Sequence, residues 1–236
     1  MSTTTPVAYV INLDERTDRW QSVQEDWKGA FPLVRVPAIR ATPGWKGCAL
    51  SQIKVVEEAK ARGEPYVLLW EDDCTPRNRH PFAIRALWNE VLPQLAAHSD
   101  KWDVVLGATS RAFKGSAFNP TLSTPNVKIH DLPHGFCAHW ALWNVATTYE
   151  KLVKYRETLH EEVDVFMYKE FRVKVVLPFL AEQRESYSDI EGHNTDYRWM
   201  FDETEKVMSA KAVTSLADII QFGKLAGVQT PKFMAR

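Results

Sequence analysis

Cysteine is scarce. The 236 residues hold three (Cys48, Cys74 and Cys137), odd in number, widely spaced and without a CxxC pair. That excludes a disulfide-stapled scaffold and a structural zinc ribbon, and it fits free thiols in a reducing compartment. Charge of one sign is also lacking: the formal net charge is −1, so no nucleic-acid partner is expected. No apolar run approaches the ~20 residues that span a bilayer, and no transmembrane segment is expected. Met1-Ser2-Thr3-Thr4-Thr5-Pro6 has neither a basic n-region nor an apolar h-region, so it does not read as a signal peptide, and the expected location is cytoplasmic. A Gly-rich pyrophosphate loop with a following lysine is missing, which argues against a nucleotidyltransferase. Dispersed His/Asp pairs are missing too, which argues against a metal-dependent phosphohydrolase.

What is present describes a globular chain with a proper core, at 45% hydrophobic and 25% charged residues. The length suits one domain over residues 1–236. Strands are expected at Val7 to Leu13, Leu33 to Ile39, Tyr66 to Trp70, Trp102 to Gly107, Val127 to His130, Phe136 to Trp143 and Val173 to Leu177. Helices are expected from Arg19 to about Lys28, capped by Thr17 or Asp18, and from Cys48 to Arg62 after a Pro43–Gly47 turn. Others are expected from Pro81 to about Ala97, with Pro93 breaking or kinking it, and from about Val145 to Leu159. Ser110 to Pro125 reads as a long mobile loop of the kind that forms lids. The polar tail reads as one or two amphipathic helices. Strand–helix alternation in the first half predicts an α/β fold, with a mixed, mostly parallel sheet covered on both faces. Most of the nine tryptophans are expected to pack, and some to line a sugar-stacking or apolar site.

The chemistry-bearing stretch is Tyr66-Val67-Leu68-Leu69-Trp70-Glu71-Asp72-Asp73, an apolar strand ending in three carboxylates. Ligands of open α/β sheets sit beyond the carboxyl ends of the strands. Adjacent carboxylates repel, and a divalent cation relieves that repulsion; the alternative is a solvated acidic turn. Alternation along an extended segment puts Glu71 and Asp73 on one side and Asp72 on the other. Arg16 and Arg19 follow the first strand and are either phosphate donors or solvated helix-start charges. Asn12 either reads a base edge or satisfies its own turn. Ser51 and Gln52, placed in the first turn of a helix, either bind sugar or phosphate there or simply cap it.

Five motifs in order resemble the family 25 glycosyltransferases, over roughly residues 7 to 190. They are Ile11-Asn12-Leu13-Asp14-Glu15-Arg16-Thr17-Asp18-Arg19, Gly47-Cys48-Ala49-Leu50-Ser51-Gln52, Glu71-Asp72-Asp73, Ala138-His139-Trp140, and the run from Pro178 through Gln183 to Ser188-Asp189-Ile190. Gln52 stands where the family usually has histidine, and Trp140 where alanine is usual. The resemblance implies a GT-A fold, a donor-nucleotide and metal-binding N-terminal half and an acceptor-side C-terminal half. It also implies Mn²⁺ or Mg²⁺, a UDP-sugar donor, a glycan acceptor and an inverting transfer. On this resemblance Asp73 is expected on the metal, Glu71 on the metal, the donor ribose or an ordered water, and Asp72 on the donor side, with a second metal contact if the segment turns. By the same resemblance Asp164 is the expected base with Glu162 second, His193 completes the metal site, His139 orients its neighbours or contacts the acceptor, and Gln183, Ser188 and Asp189 shape the donor or acceptor pocket. The rival readings are a non-catalytic nucleotide- or glycan-binding module of the same fold, or another metal-dependent nucleotide-processing enzyme.

Overall fold

A computed structural model describes residues 6–111, 116–190 and 192–209. In chain order the elements are β1 (Ala8–Asn12), α1 (Thr17–Trp27), β2 (Leu33–Pro37), α2 (Gly44–Ala61), β3 (Tyr66–Glu71), β4 (Cys74–Pro76) and α3 (Pro81–Ala97). There follow β5 (Val104–Leu106), β6 (Ala117–Asn119), β7 (Lys128–Asp131), β8 (Trp140–Asn144), α4 (Val145–Thr158) and α5 (Val163–Glu170). The last are β9 (Val173–Leu177), β10 (Ala181–Gln183), β11 (Ser186–Ser188), β12 (His193–Thr195) and α6 (Arg198–Ser209).

The main sheet runs β2-β1-β3-β8-β5-β9-β7-β6. Its β2-β1-β3 side is parallel, as is β5 with β9, but β8 lies antiparallel to both β3 and β5, and β7 is antiparallel to β6 and β9. The sheet is therefore mixed, with β8 and β7 running against the other six strands, as the expected mixed, mostly parallel sheet requires. A strand buried on both faces, as β8 is throughout, carries the same apolar run in either direction, so its composition does not reveal its sense.

Alternating side chains supply two cores. Val67 and Leu69 of β3 pack on one face with α2, α4 and α5, while Leu68 and Trp70 pack on the other with α1 and α3. The second core holds a cluster of Trp27, Phe31, Trp70, Trp88 and Trp140, with Trp27–Trp70 and Trp70–Trp140 ring centroids 4.4 and 4.5 Å apart. Gly107 is required there, because a Cβ would overlap the Trp140 indole.

Four local expectations change. Helix α1 begins at Thr17, after Arg16, without a side-chain cap. Helix α2 begins at Gly44, so the stretch expected as a turn is its first turn. Helix α3 continues through Pro93, whose ring nitrogen carries no hydrogen to donate within the helix. The stretch expected as a loop carries β6; residues 112–115 of that expected lid, and the tail beyond Ser209, lie outside the described residues. Among the described residues, no helix is long and apolar enough to cross a membrane.

Candidate active site

The carboxyl ends of β1 and β3 lie side by side, Ile11 paired with Glu71, and the acids sit there. Strand β3 stops at Glu71 and the chain turns, so the expected alternation of the three acids does not hold. Asp72 and Asp73 both meet the Arg19 guanidinium, at 3.0 and 2.9 Å, while Glu71 faces elsewhere, accepting from Gln52 Nε2 at 3.3 Å and from the Cys48 thiol at 3.5 Å. Desolvation, reinforced by the Asp73 charge, pushes Glu71 up to about 8. Burial also raises Asp72, to about 6, against the opposing pull of Arg19.

Around these acids lies a network of partners far apart in sequence. Asn12 donates to Asp72 Oδ2 at 2.6 Å and to the Arg16 carbonyl at 3.0 Å, and accepts from Arg35 Nε at 2.7 Å. Its amide is spent on building the site. Arg16 and Arg19 converge on Asp189, Arg16 by a direct hydrogen bond and Arg19 at 3.8 Å. Both arginines are thus held among acids at the end of β1.

Ser51 and Gln52 lie in the third turn of α2, not its first, so no helix N-terminus aims through them. The buried Ser51 hydroxyl donates to the Gly47 carbonyl (2.7 Å) and accepts from Ile39 N–H (2.8 Å). A Cβ on Gly47 would overlap the Ile39 carbonyl oxygen. Gly47 and Ser51 therefore dock α2 on the chain that follows β2, while Cys48 and Gln52, one residue on, reach Glu71.

Beside Glu71 opens a cavity of about 480 Å³. It gathers Glu71, Glu162, Asp164, Gln183, Ser188 and His193 from the expected residues. Glu162 is the N-cap residue of α5, a helix not expected from the sequence, and Asp164 lies in its first turn. Asp164 accepts backbone N–H groups of Val165 (2.8 Å) and Cys137 (3.4 Å), yet burial outweighs these bonds and raises its pKa. A carboxylate whose affinity for a proton is raised in a cavity is suited to general-base work. His193, in β12, and Ser188, in β11, reach the cavity from a two-stranded hairpin.

His139 is not on the cavity wall. It is fully buried with its ring edge-on to Phe201, and burial lowers it to about 4, so it is a neutral core residue beneath the acids. Cavity residues that sequence reasoning did not single out include Trp45, Cys48, Ser110, Cys137, Tyr197 and Met200. Cys48 and Cys137 lay inside recognised stretches, Ser110 opens the expected lid segment, and Trp45 is one of the tryptophans of which some were expected at a site; no pattern marked Tyr197 or Met200.

The donor set suits a hard divalent cation. Asp73 Oδ1 is buried with no hydrogen-bond partner, and Glu71, raised first by desolvation and then by the Asp73 charge, stands next to it in the chain. Among the described residues, no three His, Cys, Asp or Glu side chains form a cage, so the protein would give one or two carboxylates and leave other positions to phosphate and water.

No protein-family model matches the chain, and no curated protein matches it by sequence. Among solved structures it is similar to the protein A197 from STIV, at 11% identity over 81% of this chain and 93% of that one, with a TM-score of 0.43. It is similar to a glycosyltransferase involved in the glycosylation of the major capsid of PBCV-1, at 8% identity over 67% and 68%, TM-score 0.40. A third is 4-diphosphocytidyl-2C-methyl-D-erythritolsynthase from Anaerococcus prevotii, at 16% identity over 86% and 78%, TM-score 0.40. Likenesses this distant leave the reaction to be argued from the site.

Proposed function

We propose that this protein is a metal-dependent GT-A glycosyltransferase that moves a sugar from a UDP-sugar onto a glycan hydroxyl with inversion. One observation carries the reading: Glu71, at the carboxyl end of β3, shares a cavity of about 480 Å³ with the buried carboxylate of Asp164. A donor diphosphate placed by the acids would present its sugar to that carboxylate. The ordered motifs of the family 25 glycosyltransferases support the same reading.

Asp73 and Glu71 would hold Mn²⁺ or Mg²⁺, and His193, the third expected ligand, lines the same cavity as Glu71. The chemistry such a cation would supply there is neutralisation of charge on the donor diphosphate. Arg16 and Arg19 would exchange Asp189 for phosphate oxygens, as planar, charge-assisted donors. Asp164 takes the proton of the acceptor hydroxyl, and the burial that raises its pKa makes it a stronger base for that work. Glu162, at the helix start beside it, is the second carboxylate on the acceptor side. Asn12 and Gln52 act indirectly here, holding Asp72 and Glu71 in place.

A panel of UDP-sugars tests the reading, with GDP- and CMP-sugars as controls and with and without Mn²⁺. At least one UDP-sugar is expected to be hydrolysed in a Mn²⁺-dependent way. Asp164→Asn should cut that rate by roughly 10²-fold or more while leaving UDP binding unchanged. Failure to turn over any UDP-sugar would sink the proposal. Turnover of the controls alone would favour another nucleotide-processing enzyme, and UDP binding without turnover a non-catalytic module.

A further inference from the structure

Cys137 has φ +75°, a left-handed backbone that favours glycine. The conformation is imposed from both sides. Gly135 is wedged so tightly that a Cβ would overlap Thr109 Oγ1 and Tyr168 Oη, and Phe136 exchanges both backbone hydrogen bonds with Ser110, at 2.9 and 3.1 Å. Two residues later, the His139 carbonyl is fixed by Glu71 N–H at 3.0 Å. Glycine would occupy position 137 without strain, so the side chain present there must contribute something that offsets the strain.

Its contacts say what. The Cys137 Sγ lies 3.2 Å from Ser110 Oγ and donates to Gln183 Oε1 at 3.4 Å. Burial holds this thiol up at about 12, so it stays protonated as a donor and is no nucleophile. With its oxygen turned to the thiol, Gln183 keeps its NH₂ group for the cavity that both residues line. We propose that Cys137 is a positioning residue, whose strained backbone aims the thiol at Gln183 and thereby sets the Gln183 amide as a hydrogen-bond donor to the bound sugar. This deepens the glycosyltransferase reading and rests on it for the identity of the ligand.

Three variants test it. Cys137→Gly removes both strain and thiol, and is expected to raise Tm by about 2–4 °C while lowering kcat for UDP-sugar hydrolysis about tenfold. Cys137→Ser restores a donor, and should recover most of that loss. Gln183→Ala should cost about as much as Cys137→Gly, and the double variant no more than either alone, because both remove the same contact. Crystal structures should show the Gln183 amide rotated in Cys137→Gly and unmoved in Cys137→Ser. Additive losses, an unchanged kcat in Cys137→Gly or an unmoved Gln183 would overturn the proposal. If the wild type hydrolyses no UDP-sugar, the functional reading falls, and the two crystal structures still decide whether Cys137 orients Gln183.

Discussion

The three acids after β3 behave as three different groups. Glu71 stands with Cys48 and Gln52 at the cavity, Asp72 is tied to Asn12 and Arg19, and Asp73 shares Arg19 and keeps one buried oxygen without a partner. That an acidic strand end would face a cavity could be read from the residues. Which acid faces which way could not, because alternation ends where the strand does. The contacts that divide them join positions as distant as Asn12 and Asp72. The raised pKa of Glu71 has a thermodynamic consequence. Its charged form is disfavoured in the folded state, so the metal-free protein should lose stability as pH rises from about 4.5 through about 8. Glu71→Gln removes that penalty. In EDTA the variant should be more stable than wild type at pH 9, by about 1–2 kcal/mol since the group borders an open cavity, and the gap should close by pH 4. Thermal melts across that range check this; equal stability at pH 9 would mean that Glu71 is not desolvated.

Among the elements, α2 shows how a short motif serves packing and site together. Gly47 and Ser51 fasten it to the segment after β2, and Cys48 and Gln52 project from it toward Glu71. The helix pattern was legible, but not its start, since Pro-Gly-Trp-Lys-Gly carries turn residues that here fill a first helical turn. Helix α5, which places Asp164, was hidden because its eight residues are too few to show a period. The sense of β8 was hidden by its uniform burial. Helix propensity and packing make opposite forecasts for Gly47→Ala. Propensity alone favours alanine by about 1 kcal/mol, whereas a Cβ against the Ile39 carbonyl should cost about 2–4 kcal/mol net. Urea unfolding is expected to show the loss.

At the scale of the whole molecule, the mixed sheet with helices on both faces brings the end of β3, the start of α5 and the β11–β12 hairpin to one cavity. The alternation of the first half made the parallel β2-β1-β3 side readable, with the end at which the acids stand. The assembly of the second half depends on contacts between distant segments, such as β10 with β4, and no local pattern announces them. In the function proposed above, this end of the sheet holds a nucleotide diphosphate through a cation on Asp73. Calorimetric titration of UDP into wild type and Asp73→Ala, with and without Mn²⁺, tests this. Mn²⁺ is expected to tighten UDP binding to wild type about tenfold or more, a gain of about 1.4 kcal/mol, and to have no effect on the variant. UDP binding that ignores Mn²⁺ in wild type, or a Mn²⁺ effect that survives in Asp73→Ala, would contradict it.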